Sequence, residues 1–346
     1  MSTLVISVFR CKFSKPCYLR FANYSSQPKQ ANKNNAAKVV NVAIIGAPNS
    51  GKSTLINKIV DRKICAASNK VHTTTKMIRA MYFQNDTQII FLDTPGVVTE
   101  REQKKYKLPE SMIGSCYKGL RCADVVGVVH DISNRFTKDS LHHDVVSMLE
   151  SVKDTPSFLI INKVDLLKSK TQLLTCIRNL TNGFIAGNPV PAQDRDKRIL
   201  DRGYSKFSDV FLVSALKGDG ITDIREYLLS NAKPANLHYT PNEWTDQKPE
   251  TLIIEAVRAK FLDFLSKEIP YNIKVELEYY EDNVEENKII CFVSAECPTE
   301  RLVKLVSGAG GGRLQQIKSH VRADLTELFK KLVVIDIKLK SKIRTE

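Results

Sequence analysis

The stretch VAIIGAPNSGKSTLIN, residues 42–57, joins an apolar run to a helical sequence through a glycine-rich turn. Its centre matches the phosphate-binding pattern G-x-x-x-x-G-K-[ST], in the strand–turn–helix context that the pattern requires. Glycines there let backbone N–H groups surround phosphate oxygens, and the N-terminus of the following helix favours negative charge. Lys52 is expected to reach the β- and γ-phosphates and Ser53 to bind Mg²⁺. The residues predicted to bind a nucleotide phosphate chain are Gly46, Ala47, Pro48, Asn49, Ser50, Gly51, Lys52, Ser53 and Thr54.

Around this loop, short apolar runs alternate with helical stretches. TQIIFLD, ADVVGVVHD and SFLIINK are three of the runs that predict strands, and helical sequences separate most of them. This order predicts a doubly wound, mostly parallel α/β sheet. Open sheets of this kind bind their ligands at the carboxyl ends of the strands, which is where the chain places its polar motifs.

One of these motifs predicts which base is bound. Asn162-Lys163-Val164-Asp165 follows an apolar strand. The Asp165 carboxylate can accept hydrogen bonds from the ring N–H and the exocyclic amine of guanine, whereas adenine lacks this pair of donors. Asn162 is expected at the other edge of the base, with the Lys163 stem across its face. Backbone atoms expected to contact the guanine carbonyl belong to Ser214, Ala215 and Leu216.

Two further segments are expected to read the γ-phosphate and Mg²⁺. In Asp93-Thr94-Pro95-Gly96, Asp93 can orient a Mg²⁺-bound water and the Gly96 amide can contact the γ-phosphate. In KVHTTT, Thr74 is favoured to complete the Mg²⁺ coordination in the triphosphate state. Its neighbours Thr73 and Thr75 stay open as alternatives, as does a threonine loop without a ligand.

The sequence also predicts slow intrinsic hydrolysis. Val97 occupies the position after DTPG, where Ras-like proteins carry a glutamine that orients the attacking water. An aliphatic side chain cannot do this. Asn49 is a candidate to assist, because its amide oxygen could hold a monovalent cation against the phosphates; a plain turn-forming asparagine is the equal alternative. The predicted catalytic residues are Lys52, Asn49, Thr74 and Gly96.

Together, GAPNSGKST, KVHTTT, DTPG, NKVD and SAL resemble the Era branch of the translation-factor-related GTPases. The resemblance implies GTP and Mg²⁺ as ligands. In related GTPases, an asparagine matching Asn49 is associated with potassium-stimulated hydrolysis, which adds K⁺ as a candidate cofactor. One departure is the stretch 168–208, which is longer than a bacterial relative would need and is expected to be a solvated, partly disordered insertion.

The C-terminal region predicts a second, α+β domain. A helical stretch TLIIEAVRAKFLDFLSK precedes a strand whose apolar face is expected to hold Ile273, Val275, Leu277 and Tyr279. NKIICFVSAE completes a hairpin, two helices flank SGAGGG, and LVVIDIKLK forms a final strand. This α-β-β-α-α-β order resembles a type II KH domain, in which a GXXG loop clamps the backbone of unpaired nucleotides.

The resemblance implies RNA binding at this glycine loop. Its variable positions, Ala309 and Gly310, lack the Lys or Arg of many KH loops, so nearby basic residues are expected to compensate. A glycine turn without a ligand is the alternative. From residue 301 to 344 there are 11 basic and 3 acidic residues, which favours an RNA-facing surface. The predicted RNA-binding residues are Gly308, Ala309, Gly310, Gly311, Arg313 and Lys318.

Composition and the N-terminal segment bear on location. The 346 residues carry a net charge of +14, and no Asp or Glu precedes Asp61. MSTLVISVFRCKFSKPCYLRFANYSS mixes basic, serine and apolar residues as mitochondrial transit peptides do, a basic nucleic-acid-binding tail being the alternative. The eight cysteines form no C-x-x-C pair, which argues against a structural zinc site, and no apolar run is long enough to span a membrane.

These inferences divide the chain into four parts. Residues 1–39 are predicted to be a transit peptide and linker, 40–232 the G domain, 233–247 a linker and 248–346 the type II KH domain. The connector carries Trp244, which is expected to pack between the two domains.

The resemblances imply a monomeric GTPase of the mitochondrial matrix that binds mitochondrial small-subunit rRNA and assists assembly of the small ribosomal subunit. Peripheral contact with the matrix side of the inner membrane stays open. A GTPase subunit of a tRNA-modification system is the alternative, although the sequence has no cofactor or nucleophile constellation for such a reaction. A degenerate GTPase that only binds RNA conflicts with the presence of Lys52, Ser53, Asp93 and Asp165.

Overall fold

The computed structural model describes residues 37–68, 77–94, 111–167, 173–191, 202–266 and 268–341. The predicted transit peptide up to residue 36, the threonines 73–75 and the segment 95–97 lie outside these ranges. The expectations for Thr74, Pro95, Gly96 and Val97 therefore stay predictions.

The described residues form twelve strands, eight α-helices and three short 3₁₀ helices. The strands are β1 Lys38–Ile45, β2 Ile78–Gln84, β3 Thr87–Asp93, β4 Val125–Asp131, β5 Ser157–Asn162, β6 Phe184–Ile185, β7 Asn188–Pro189, β8 Phe207–Leu212, β9 Lys233–Pro234, β10 Lys274–Asn283, β11 Lys288–Cys297 and β12 Leu332–Ser341. The helices are α1 Lys52–Val60, α2 Ser111–Arg121, α3 His143–Ser151, α4 Leu173–Leu180, α5 Ile221–Asn231, α6 Pro249–Phe264, α7 Glu300–Ser307 and α8 Gly312–Phe329. In the described ranges, no helix combines the length and apolar composition needed to cross a membrane.

The N-terminal sheet has the predicted doubly wound arrangement. Its order is β2-β3-β1-β4-β5-β8, with β2 antiparallel to β3 and the other neighbours parallel, and β9 pairs with the start of β1. From the central β1, the chain proceeds to β3 on one side and to β4 on the other. The loop after β1 thus lies where the winding changes direction, the place where such sheets bind ligands.

Both faces of this sheet are buried, as the apolar strands require. Val40, Val42 and Ile44 of β1 pack in a cluster with residues of α1 and α5. Ala43 and Ile45, on the opposite face, pack with residues of α2, α3 and α4. The alternation within one strand therefore supplies two separate layers of helices, and β1 is held rigidly under the glycine-rich loop.

The C-terminal domain has the predicted α-β-β-α-α-β order. Its sheet runs β10-β11-β12, with β10 antiparallel and β12 parallel to β11. Helix α8 buries Ile317, Val321, Leu325 and Leu328, a spacing that puts all four on one side of the helix. This side packs with the inward residues of the strands.

One strand prediction is wrong in detail. A β-bulge interrupts β10 between Leu277 and Tyr279, whose partners Val293 and Phe292 are adjacent in β11. The extra residue reverses the alternation beyond it, because side chains on a strand alternate faces with period two. Tyr279 is consequently 43% exposed, and Tyr280 packs against the core in its place.

The stretch 168–208 also differs from the solvated insertion that was expected. Its described part contains α4 and the short hairpin β6–β7. Cys176, Ile177 and Ile185 are at most 2% exposed and belong to the buried cluster on one face of the main sheet. The Ala186 N–H donates to the Phe207 carbonyl of β8 (2.8 Å), which fixes the hairpin beside the sheet.

The connector is bound to the G domain along much of its length. His238 N and Tyr239 O bond the side chain of Gln88, and Met81 N donates to the Trp244 carbonyl (3.0 Å). The Trp244 ring meets Phe329 of α8 edge-on at 6.1 Å between centroids. The expected interdomain packing of Trp244 is confirmed.

Candidate nucleotide-binding and RNA-binding sites

The glycine-rich loop from residue 46 to 51 needs glycine at two positions. Gly46 has φ +153°, and an added Cβ would lie 2.3 Å from the Val129 carbonyl oxygen of β4. Gly51 has φ +96°, and its added Cβ would lie 2.3 Å from Nδ2 of Asn162. Both values of φ strain residues with side chains. The loop therefore lies tight against the neighbouring strand ends, leaving its outer surface for a ligand.

Lys52 lies folded over this loop. Its ammonium donates to the carbonyls of Gly46 (3.1 Å) and Ala47 (3.0 Å), and the side chain is almost completely buried. Burial lowers the pKa of Lys52, and the nearby Asp93 carboxylate partly opposes this effect. The Lys52 ammonium is therefore a buried cation at the N-terminus of α1, where it is suited to bind phosphate oxygens. These oxygens would replace the carbonyls of Gly46 and Ala47 as its partners.

The Ser53 hydroxyl donates to Oδ2 of Asp93 at 3.0 Å, so the two residues predicted to bind Mg²⁺ lie side by side. Asp93 ends β3 and is fully buried, and Thr94 Oγ1 fixes the next residue by donating to the Ile44 carbonyl (2.8 Å). A serine hydroxyl and a carboxylate are the hard oxygen donors that Mg²⁺ prefers, so the residues fit this ion. When bound, Mg²⁺ would neutralise charge on the phosphates.

Asn162 connects three loops. Its Nδ2 donates to the Ser50 carbonyl (2.8 Å), and its Oδ1 accepts from the backbone of Lys163 (2.8 Å) and Ala215 (3.0 Å). The side chain is only 2% exposed. The NKVD motif predicts Asn162 at an edge of the base. In the structure, Asn162 instead holds the phosphate loop against the loops that begin at Lys163 and Ser214.

Lys163 links the phosphate loop to the end of β4. The residue has φ +64°, and its ammonium contacts the Asn49 carbonyl (2.9 Å) and Oδ2 of Asp131 (2.6 Å). Asp131 belongs to no sequence motif. The feature that could have identified it is its position as the last residue of β4, because the register between β4 and β5 pairs this position with Asn162. Burial would raise the pKa of Asp131, but hydrogen bonds from Lys163 and Ser133 outweigh it and lower the pKa.

The remaining base-site residues follow the ends of β5 and β8. The Asp165 side chain is 9% exposed and lies 3.9 Å from the Lys217 ammonium. Ser214 and Ala215 are buried, whereas Leu216 is 77% exposed. The structure thus brings NKVD and SAL to the same edge of the sheet as the phosphate loop, an arrangement able to hold a base and its phosphates together.

Asn57 is a second residue whose role no sequence motif indicates. From α1, its amide donates to the Cys65 carbonyl (2.7 Å), and its Oδ1 accepts from the Cys65 N–H (2.8 Å). These two bonds fix the loop that leaves α1. No sequence pattern identified the pair, because an asparagine inside a helix has no characteristic partner.

The predicted RNA-binding loop has the backbone that its glycines allow. Gly308, Gly310 and Gly311 have φ of +76°, +57° and +75°. An added Cβ at Gly308 would lie 2.7 Å from Cβ of Arg313, whereas nothing lies within 4 Å of one at Gly310. Ala309 and Gly310 are exposed directly before α8. The loop therefore offers backbone at a helix N-terminus to a phosphate.

The two basic residues expected to assist this loop have partners within the domain. Arg313 donates to the Leu305 carbonyl (2.6 Å), which joins α8 to α7. Lys318 contacts Oδ1 of Asp336 at 2.5 Å, and this hydrogen bond lowers the pKa of Asp336. RNA phosphates would thus compete with existing contacts at both positions.

A family model and solved structures resemble this chain. The family model of the 50S ribosome-binding GTPase matches residues 41–163. Among solved structures, Era in complex with MgGDPNP and nucleotides 1506–1542 of 16S ribosomal RNA superposes with a TM-score of 0.71 at 23% identity, covering 89% of this chain and 95% of that one. An Aquifex aeolicus Era variant bound to GDP and AlF4⁻ gives a TM-score of 0.72 at 24% identity, with the same coverage.

Sequence relatives extend over nearly the whole chain. The mitochondrial GTPase Era of Danio rerio is 32% identical over 359 residues, covering 94% of this chain and 80% of the relative. That of Salmo salar is 32% identical, covering 88% and 77%. GTPase Era of Afipia carboxidovorans is 32% identical, covering 83% of each chain. With this identity across both the nucleotide-binding and the glycine-loop domains, the chain belongs to the Era family of GTPases.

Proposed function

We propose that the N-terminal domain binds GTP with Mg²⁺ and hydrolyses it to GDP and phosphate. This proposal rests on one observation. Lys52, Ser53 and Asp93 lie at the same edge of the sheet as the NKVD loop, which is bonded to the phosphate loop. Lys52 would bind the β- and γ-phosphates, and Ser53 and Asp93 would hold Mg²⁺ together with Thr74. The Asp165 carboxylate would accept hydrogen bonds from guanine. The Gly96 amide contacts the γ-phosphate.

Hydrolysis is slow without an activator, because Val97 cannot orient water. Asn49 supports K⁺ as an additional cofactor. Its backbone has φ +58°, and its carbonyl is held by Lys163 at 2.9 Å. This holds the residue next to the phosphate position, where its amide oxygen can coordinate a monovalent cation.

The C-terminal domain binds unpaired small-subunit rRNA at its glycine loop. The exposed residues Ala309 and Gly310 immediately before α8, together with the basic composition from residue 301 to 344, support this assignment. A solved Era structure contains nucleotides 1506–1542 of 16S ribosomal RNA, which supports small-subunit rRNA as the class of target. Arg313 and Lys318 contact RNA after exchanging their present partners.

The protein acts in the mitochondrial matrix as a monomeric assembly factor of the small ribosomal subunit. Relatives in zebrafish, salmon and Caenorhabditis elegans are named mitochondrial, and the basic N-terminal segment has the composition of a transit peptide. GTP orders the segment around Thr74 and sets the relation between the two domains, and hydrolysis then permits release from the RNA. The domain boundaries at residues 39, 232 and 247 belong to the same proposal.

The test of the enzymatic part is GTP turnover by the full chain with Lys52→Ala. We expect turnover to fall at least about 100-fold, because the cation at the phosphates is lost, while binding of a single-stranded RNA is retained. Lys58→Ala, an exposed lysine on the same helix, is the control and should leave turnover unchanged. Unaltered turnover in Lys52→Ala would contradict the assignment.

The test of the biological part is crosslinking of the tagged protein in cells, followed by sequencing of the attached RNA. Reads concentrated on mitochondrial small-subunit rRNA are expected. Reads concentrated on tRNA or on cytosolic RNA would contradict the assembly role while leaving the GTPase assignment intact.

A further inference from the structure

Asp131 lies at the point where the base site and the phosphate loop meet. It ends β4, and the sheet register places it beside Asn162 of β5. Its Oδ1 accepts from the Ser133 backbone N–H (2.9 Å) and hydroxyl (2.6 Å), which fixes the plane of the carboxylate. Its Oδ2 accepts from the Lys163 ammonium at 2.6 Å. The side chains of Lys163 and Asp131 are 30% and 21% exposed, so the ion pair is partly shielded from water.

The same ammonium also contacts the phosphate loop. Lys163 Nζ donates to the Asn49 carbonyl at 2.9 Å. Asn49 and Lys163 both have positive φ, +58° and +64°, a conformation that few residues with side chains adopt. Two strained turns are therefore joined through one cation, and Asp131 is the charged group that holds this cation.

A lysine stem has four rotatable bonds and samples many conformations unless both of its ends are fixed. In the NKVD loop the stem must lie across the face of the base to contribute to binding. If the free protein left it mobile, the ordering would occur on binding and weaken the affinity. When the ammonium is anchored, the stem already has its binding conformation before the nucleotide binds.

We propose that Asp131 is a positioning residue for guanine-nucleotide binding. It holds Lys163 in the conformation that covers the base and, through Lys163, holds the backbone of Asn49 beside the phosphates. This inference rests on the proposed binding of guanine nucleotides. The alternative for Asp131 is a structural role, in which its ion pair contributes to the stability of the fold and not to nucleotide affinity.

A double-mutant cycle on the full chain separates the two roles. The affinity for a fluorescent GDP analogue is measured for the wild type, Asp131→Asn, Lys163→Met and the double variant, beside the thermal unfolding of each protein without nucleotide. Asp131→Asn keeps the shape of the side chain and removes its charge. We expect it to weaken binding about tenfold, the scale of a partly shielded charge-assisted hydrogen bond. In the Lys163→Met background, the same change should weaken binding less than about twofold.

Two further variants keep the test interpretable. Asp154→Asn makes the same charge change at an exposed site of the same domain and should leave affinity unchanged. Ser133→Ala keeps the Asp131 charge but removes one bond that orients it, so a loss of about threefold is expected, again only while Lys163 is present. If Asp131→Asn does not fold, the loss of affinity in Ser133→Ala tests the proposal in its place.

Three outcomes would overturn the inference: unchanged affinity in Asp131→Asn, equal losses with and without Lys163, or a loss matched by Asp154→Asn. Failure of the wild-type protein to bind the GDP analogue would instead contradict the proposed function, and so the two failures are distinguishable.

Discussion

Asn162 illustrates how much one side chain can determine at the nucleotide site. Its three hydrogen bonds join the phosphate loop, its own loop and the segment that begins at Ser214. All three bonds are buried or partly buried, and leaving such polar groups unpaired costs about 1–3 kcal/mol each. The relative position of phosphate and base sites is therefore set by this amide before any ligand binds.

Gly51 gives the first prediction at this scale. A Cβ there would meet Nδ2 of Asn162 at 2.3 Å, and the amide cannot move away because its bonds hold it. We expect Gly51→Ala to lower the free energy of unfolding by about 3 kcal/mol and to weaken GDP binding, as measured by chemical denaturation and by titration.

Gly187→Ala is the matched control for this prediction. Gly187 has φ +76° but nothing within 4 Å of an added Cβ, so only the backbone penalty of about 1 kcal/mol applies. Equal destabilisation by the two variants would show that contact with Asn162 contributes nothing.

The site residues differ in how far the sequence could identify them. Lys52, Ser53, Asp93 and Asp165 stand in motifs whose spacing reflects the chemistry of phosphate, Mg²⁺ and guanine, so their positions could be predicted. Asp131 could not be identified this way, because its role depends on the register between β4 and β5, which brings it beside Asn162. Such pairings between distant segments leave no local pattern.

At the scale of elements, the same distinction applies to the strands. Apolar runs predicted β1, β4 and β5 because both faces of a parallel sheet are buried. Alternation predicted β10 only as far as Leu277, because a bulge adds one residue without changing the composition of the strand. The hairpin β6–β7 was hidden for another reason: its polar and glycine-rich sequence resembles an exposed loop, although Ile185 is buried.

The bulge leads to a prediction about two adjacent tyrosines. Tyr280 packs against the domain core, whereas Tyr279 lies on the outer face and stacks on Phe292 at 5.4 Å. Tyr280→Ala should lower the free energy of unfolding by about 2 kcal/mol because it leaves a cavity. Tyr279→Ala, the control, should lower it by about 0.5 kcal/mol, the value of an exposed aromatic pair. Chemical denaturation measures both, and the reverse order would show that the uninterrupted alternation was right.

At the scale of the whole molecule, the two domains share one continuous core. A single cluster of buried apolar residues extends from the main sheet to the C-terminal sheet. Polar contacts between the domains reinforce it: the Arg62 guanidinium donates to the Leu328 carbonyl (3.0 Å), and Lys63 pairs with Asp324 (2.6 Å). Within the C-terminal domain, Lys260 also pairs with Asp324 (2.8 Å). Arg62 and Lys63 follow one residue after the end of α1, the helix that begins with Lys52. The candidate nucleotide site and the C-terminal domain are thus connected through a few residues.

This arrangement predicts cooperative unfolding of the two domains, and Trp244 is one of the residues that link them. The indole lies under the Arg62 guanidinium at 5.3 Å and against Phe329, while its backbone bonds Met81. The wild type should unfold in one calorimetric transition, because neither core is complete without the other. Trp244→Ala should lower the free energy of unfolding by about 3 kcal/mol and divide the transition in two.

Phe136→Ala, at a phenylalanine that is 96% exposed, should keep a single transition. Two transitions in the wild type would mean that the interface is too weak to couple the domains, and a nucleotide bound at the phosphate loop could then affect the C-terminal domain only through residues outside this interface.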